Sequence, residues 1–340
     1  MSIRARLFLF LLCVIVPVVT VFALQKKLII LNGSAFGTTY TAKVYVPIWV
    51  TKQRVSQALE SEVDRLDAIF STWNSDSEIS QFNANNVDLS IAISADFQLV
   101  FTESQFLYQL TSGYFDPTIK PLLDLWGFSS SGQYYKVPDE DKLSALQSQI
   151  GMNKLRLEAA VLHKETADID LEFSSLAKGY AVDRFADIVE SFQSNRYMLE
   201  IGGEVRVKTA RKSQAWTLGI HEPNYQLSFQ DLYARVSLTQ GCIATSGDYR
   251  NYFQENERIY SHIFDPKLAK PVHNNIASVS IIADTCLKAD GLATAVMSLG
   301  KERGLAIVEA LPGVEAMIIY RGETNFQPYV SSNFQSYLVQ

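Results

Sequence analysis

The chain has 340 residues, 47% hydrophobic and 19% charged, with 36 acidic against 30 basic side chains and a formal charge of −6. That composition excludes a disordered chain. The acidic balance, with no basic block, argues against a nucleic-acid partner.

The N-terminus stands apart from the rest. Arg4 and Arg6 precede a charge-free apolar run from Leu7 to Leu24, and Lys26 and Lys27 follow. A basic start followed by such a run predicts a signal peptide or an N-terminal membrane anchor over residues 1–27. Val21-Phe22-Ala23 offers a cleavage site, so both outcomes stay open. The positive-inside rule places the basic end in the cytoplasm and residues 28–340 beyond the inner membrane, on its periplasmic side. Cys13 follows Leu12, where a lipoprotein signal wants a small residue. Cys242 and Cys286 would both be exported, where a disulfide can persist, but their spacing alone does not pair them.

Beyond the leader, Val55, Leu59, Val63, Leu66 and Phe70 recur at helical spacing. Phe97, Phe101 and Tyr108 predict a second helix that ends near Gly113. Ser129–Asp139 is rich in Ser, Gly and Tyr and reads as a loop. A third helix starts near Ser175 and carries Ala181, Phe185, Ile188, Val189 and Phe192 on one face. The second half is strand-rich over Tyr197–Val207, Trp216–His221, Tyr233–Thr245, Ile259–Phe264, Ala277–Ala283 and Val314–Tyr320. Strands in neighbouring runs with helices inserted predict an α+β fold rather than a doubly wound parallel sheet. No compositional break marks a linker, so residues 28–340 read as one unit.

Several short motifs carry polar groups at turns. Gly113-Tyr114-Phe115-Asp116-Pro117-Thr118 follows a helix and equally fits a helix stop. Ser174-Ser175-Leu176-Ala177-Lys178 opens a helix whose free amides and lysine suit a phosphate, although serine capping explains it as well. Ile201-Gly202-Gly203-Glu204 reads as a strand interrupted by a bulge or by close approach of a ligand. Ala244–Arg250 ends a strand in small residues. His262 is placed in an apolar strand before Asp265-Pro266, and histidine is the usual proton carrier near neutral pH. Asp290 and Thr294 lie four residues apart, which puts a carboxylate and a hydroxyl on one helix face. On a first turn, two such oxygens could hold a hard cation like Mg²⁺, and a plain helix start would show the same spacing.

In order along the chain, these motifs resemble the ApbE-like FAD:protein FMN transferases. The resemblance starts at Gly37-Thr38-Thr39-Tyr40. It continues through Phe70-Ser71-Thr72-Trp73-Asn74 with Ser77–Ser80, Gly113–Thr118 with Leu125–Phe128, Ala177–Asp183 and Ile201–Gly203. It ends with Ala244–Tyr249, His262–Pro266 and Ala289–Ala295. The resemblance implies a T-fold-like core that uses FAD and Mg²⁺, moves FMN from FAD onto a Thr or Ser hydroxyl of a target protein, and releases AMP. It implies metal ligation by Asp290, Thr294 and the Ser175 carbonyl, with Ala293 at the same site. It also implies FAD contacts from Phe36, Trp73, Tyr114, Phe115, Asp116, Glu172, Lys178 and Ile263, and a catalytic His262. Phe36 stands where Met is usual, Glu172 replaces Asp, and Leu268-Ala269 replaces Thr-Gly.

The acceptor implied is a subunit of a membrane redox complex. His262 is expected as general base, with hydrogen bonding to a phosphate as its competing role. Two other activities fit the same residues. One is an FAD pyrophosphatase that releases FMN to water, and the other is an exported flavin carrier without chemistry.

Overall fold

A computed structural model describes residues 25–85, 89–128, 135–225, 231–323 and 325–339. The run Leu7–Leu24 with Cys13, and residues 129–134 of the expected loop, lie outside the described residues.

The frame is one antiparallel sheet of eight strands: β1 (Lys26–Ala35), β2 (Thr38–Pro47), β3 (Tyr197–Ile201), β4 (Glu204–Lys208), β5 (Gln240–Gly247), β6 (Ile276–Ala283), β7 (Glu315–Arg321) and β8 (Phe326–Val330). They lie side by side in chain order, so each hydrogen bonds to its neighbours in sequence. Helices are inserted between strands without breaking that order, which is the α+β arrangement.

Among the described residues, six helices separate β2 from β3: α1 (Lys52–Phe70), α2 (Glu78–Ala84), α3 (Ala95–Leu110), α4 (Lys120–Trp126), α5 (Glu140–Gln147) and α6 (Ser174–Ser191). Between β6 and β7 come α7 (Cys286–Leu299) and α8 (Lys301–Ala310). The apolar spacing in α1 buries Val55, Leu59, Leu66 and Phe70, and Thr51 caps its start by accepting from the Arg54 amide. The α3 helix ends where Gly113 turns left-handed and its amide reaches the Tyr108 carbonyl at 2.8 Å.

Helices α1, α3, α6 and α7 cover one face of the sheet through a single large core. A hairpin of Trp216–His221 with Leu232–Leu238 covers the other face over β4 to β7, through Val236, Leu238, Ile243, Ile282 and Ile319. Every residue of β6 is buried because both its faces are covered. A third cluster joins Leu122 and Trp126 of α4 to Leu143 of α5, Phe253 and Phe264.

Three expected strands are each split, Ile259–Phe264 among them at His262-Ile263. Tyr197–Val207 is a hairpin whose turn is Gly202-Gly203, at φ 62° and 107°. The paired glycines therefore reverse the chain instead of bulging one strand. Their left-handed backbone matches the right-handed twist of a two-residue hairpin. Tyr233–Thr245 divides at Thr239 into the covering hairpin and β5, because the two parts serve opposite layers.

Candidate active site

The turns Phe36-Gly37 and Gly202-Gly203, together with the C-terminal end of β5, fall at the same end of the sheet. Beside them open the N-terminus of α6 and one face of α7. Between these elements lies a cavity of about 780 Å³. Its walls include Phe36, Trp73, Tyr114, Phe115, Asp116, Glu172, Ser175, Lys178, His262, Ile263, Asp290 and Thr294. Of the residues singled out from sequence, Ala293 does not line the cavity. Its side chain points into the main core, fully buried.

Asp290 is 3% exposed and sits at the fifth position of α7, not on the helix's first turn. That first turn is satisfied by other groups. Thr285 accepts from the Lys288 amide, and the Asp183 carboxylate accepts from the Cys286 and Leu287 amides at 3.0 and 2.9 Å. Asp290 and Thr294 are thus free of capping duty and face the cavity from the helix interior. Cys286 at the start of α7 is joined by a disulfide to Cys242 of β5.

Asp290 Oδ2 accepts from the Gly179 amide at 3.0 Å and lies 3.6 Å from Lys178 Nζ. Lys178 also donates to Glu204 Oε1 at 3.0 Å. Glu204 is 1% exposed, and among the described residues its Oε2 has no hydrogen-bond partner. One ammonium is therefore shared between two buried carboxylates. Burial, reinforced by the Glu204 charge and opposed by Lys178, pushes Asp290 up to about 7. The Thr294 hydroxyl lies 3.1 Å from that of Ser246.

These oxygens fit a hard cation. Among the described residues no group of three or more His, Cys, Asp or Glu could hold a metal. A cation here would rest on the Asp290 carboxylate, the Thr294 hydroxyl and carbonyl or substrate oxygens, the sparse all-oxygen set that suits Mg²⁺. Two buried carboxylates, Asp290 and Glu204, share the single Lys178 ammonium at that point.

His262 falls at a bend between Arg258–Ser261 and Phe264–Asp265, outside the strand expected for it. Its amide and its Nδ1 both reach the Asn251 carbonyl, each at 3.0 Å. A carbonyl only accepts, so Nδ1 carries the hydrogen and Nε2 holds the free lone pair. Burial lowers the imidazole to about 4 despite that bond, and the Lys178 and Arg250 charges lower it further. His262 is therefore a neutral ring whose basic nitrogen, Nε2, is left to accept because Nδ1 carries the hydrogen.

The apolar end of the cavity is held more rigidly than an aromatic list suggests. Phe36 takes φ 51° in the first hairpin turn. The Tyr114 ring lies between Arg303 at 4.1 Å and Lys267 at 4.4 Å. Trp73, 75% exposed, stands at the mouth. Asp116 accepts from the Thr118 amide and hydroxyl at 2.9 and 2.6 Å, and burial raises it to about 6. Glu172 accepts from the Ser174 amide at 2.9 Å and from the Thr72 hydroxyl at 3.1 Å, so it caps α6. Its partners are inside the protein, and burial raises its pKa.

Glu204, Arg250, Asn251 and Ser246 also line the cavity; sequence reasoning had Glu204, Ser246 and Arg250 only inside short motifs and gave none of the four an individual role. Arg250 donates to the Gly202 carbonyl at 2.6 Å. A Cβ on Gly203 would come within 2.6 Å of that guanidinium, so the second glycine keeps room for it. The sequence signal for these four is only their adjacency to Gly202-Gly203 and to the turn after β5.

The family model of the ApbE family matches residues 36–318. An FAD:protein FMN transferase of Vibrio cholerae is 36% identical over 314 residues, covering 91% of this chain and 92% of that one. One from Haemophilus influenzae is 34% identical over 319 residues, covering 92% of each. The solved flavin transferase ApbE from Vibrio cholerae superposes with a TM-score of 0.83 at 33% identity, covering 92% of this chain and 100% of that one. The apo form of a Pseudomonas stutzeri flavinyl transferase ApbE gives 0.83 at 32% identity, covering 92% and 97%. With a family match across most of its length and relatives above 30% identity over nine-tenths of it, this chain belongs to the ApbE family.

Proposed function

We propose that this chain is a Mg²⁺-dependent FAD:protein FMN transferase that places FMN on a Thr or Ser hydroxyl through a phosphoester bond. The observation that carries the reading is the placement of His262 Nε2, free and neutral, in the same cavity as the Lys178–Asp290–Glu204 cluster. Flavin transfer to a protein is what the names of the relatives describe.

FAD fits the cavity's two chemistries. Phe36, Tyr114 and Phe115 give flat apolar walls for a ring system, and the α6 N-terminus with Lys178 gives positive potential for the pyrophosphate. Mg²⁺, held by Asp290, Thr294 and the Ser175 carbonyl, would supply charge neutralisation for the phosphates and the leaving group. The acceptor hydroxyl attacks the FMN phosphorus and forms a new P–O bond. The P–O bond to the AMP phosphate breaks, and its electron pair leaves on AMP. The hydroxyl proton passes to His262 Nε2, because Nδ1 is already committed to Asn251. Lys178, fixed by two carboxylates, keeps its charge aimed at the developing negative oxygens.

The Cys242–Cys286 disulfide and the apolar run Leu7–Leu24 support an exported chain on the periplasmic side of the inner membrane. No helix among the described residues is long and apolar enough to cross a membrane. The acceptor proposed is a subunit of a membrane redox complex. The test incubates purified protein with FAD, Mg²⁺ and a co-expressed acceptor domain. The acceptor is expected to gain the mass of FMN as AMP appears. AMP formed equally without acceptor would make the protein a pyrophosphatase, and no AMP under any condition would make it a carrier.

A further inference from the structure

The chain carries no acidic residue before Glu60, while Arg4, Arg6, Lys26, Lys27, Lys43, Lys52 and Arg54 all precede it. In a protein of net charge −6 that is a segregated basic end. The described part of this end is the β1–β2 hairpin at the edge of the sheet. Its inner face, with Ile29, Leu31, Ala42, Val44 and Val46, is buried in the main core. Among the described residues, its outer face lies outside the cluster that covers β4 to β7.

On that outer face Leu28 sits opposite Tyr45, and Ile30 opposite Lys43. Leu28 and Ile30 are each 44% exposed, and Trp49, just past β2, is 53% exposed. Arg196 stacks on Tyr45 at 4.3 Å. Lys26 is fixed by the Gln193 carbonyl and Asn195 at 2.7 and 2.6 Å. Exposed aliphatic and indole side chains interleaved with cations are what a bilayer interface selects: rings and chains at headgroup depth, cations on anionic phosphates.

We infer that the outer face of the β1–β2 hairpin is a docking surface for an anionic phospholipid bilayer. Continuity of the chain argues for this occupant. The apolar run ends at Leu24, and Gln25 follows, its carbonyl accepting from Ile48 at 3.2 Å, next to Trp49. A segment held in lipid therefore delivers the chain to the end of the hairpin that carries the patch. Polarity along the hairpin agrees. On the same outer side, Glu200 pairs with Thr41 further along, toward the Gly202-Gly203 turn. β1 has ten residues, so the cavity turn at Phe36-Gly37 stands on the order of 30 Å from the Lys26 end. The acceptor hydroxyl is then met well above the lipid surface.

This inference rests on the proposed membrane attachment of the exported chain. The test places the full chain in phosphatidylcholine vesicles, with and without phosphatidylglycerol, using brominated acyl chains to quench tryptophan emission. Part of the emission is expected to be quenched, more strongly with phosphatidylglycerol. Trp49→Phe removes that part, and Trp73→Phe, at the cavity mouth, keeps it. Lys26→Glu with Lys43→Glu, both at outer-face register positions, abolishes the phosphatidylglycerol dependence. Quenching that survives Trp49→Phe, quenching lost in Trp73→Phe, or a chain that shows no quenching at all overturns the docking surface. Trp49→Phe should still flavinylate a soluble acceptor, which shows that the variant is folded. Failure of the wild type to flavinylate, with Trp49 quenched as expected, would instead sink the proposed activity.

Discussion

The Gly179 amide donates to Asp290 Oδ2 at 3.0 Å, and at that point α6 and α7 touch backbone to side chain. A Cβ at position 179 would overlap the Cys286 carbonyl and lie 2.8 Å from Asp290 Cβ. The carboxylate is thus placed by a helix crossing that only glycine permits. Gly179→Ala is expected to destabilise the fold by about 1–3 kcal/mol through overpacking and to separate Asp290 from its amide donor. Urea denaturation gives the first effect, and Mg²⁺ titration calorimetry gives the second.

His262→Gln removes the unused Nε2 lone pair without a large change in volume. If that nitrogen takes the acceptor proton, kcat falls by about 10²–10⁴-fold while the KM for FAD changes little. Burial holds His262 at about 4, below the ordinary 6.5 of an imidazole. Lowering the pH through 6.5 therefore leaves this base neutral, and its loss begins only near 4. A wild-type pH profile with an inflection near 6.5 that disappears in His262→Gln would contradict the lowered value, and full activity in His262→Gln would contradict the role as base.

Metal binding should carry a proton signature from Asp290. Burial raises this carboxyl to about 7, and a cation needs it ionised. Mg²⁺ affinity is therefore expected to increase as pH rises toward 7 and to level off above it. Glu204→Gln deletes a negative charge that raises Asp290, so the plateau is reached at lower pH. Lys178→Met deletes the ammonium that lowers it and moves the plateau up. Calorimetry in buffers of different ionisation heat counts the protons released. Affinity independent of pH, with no protons released, would show that Asp290 is already ionised across this range, and loss of Mg²⁺ binding in Asp290→Ala tests its place in the ligand set.

The Cys242–Cys286 disulfide closes a loop with a sequence separation of 44 and ties β5 to the first residue of α7. Chain entropy alone assigns it about 4 kcal/mol of stability. Cys242→Ser with Cys286→Ser should lower the thermal midpoint. It should also weaken Mg²⁺ binding, because Asp290 lies one turn beyond the freed helix start. Identical melting curves with and without reductant would show that the bond contributes nothing to the fold.

Repeating apolar residues made α1, α3 and α6 legible from sequence, because burial on one helix face leaves a 3.6-residue period. The strand-rich second half was legible through its β-branched and aromatic residues set between turn residues. The β1–β2 hairpin lies outside that half, and Gly202-Gly203 read as an interruption, since a local pattern does not tell a bulge from a reversal. His262 was found by residue type and neighbours, but its free nitrogen was not. The Asn251 carbonyl that fixes the tautomer comes from another part of the chain.

By itself, the sequence determined the main helices α1, α3 and α6, the strand-rich second half and, through an ordered set of short motifs, the ApbE family. Those are properties of local periodicity and of residues close together along the chain. Only the tertiary structure decided that Asp290 sits inside its helix against Gly179, that Lys178 is shared with Glu204, and that Ala293 faces the core. Each depends on contacts between residues far apart in sequence, and burial, which sets their charge states, is created only when those segments close on one another.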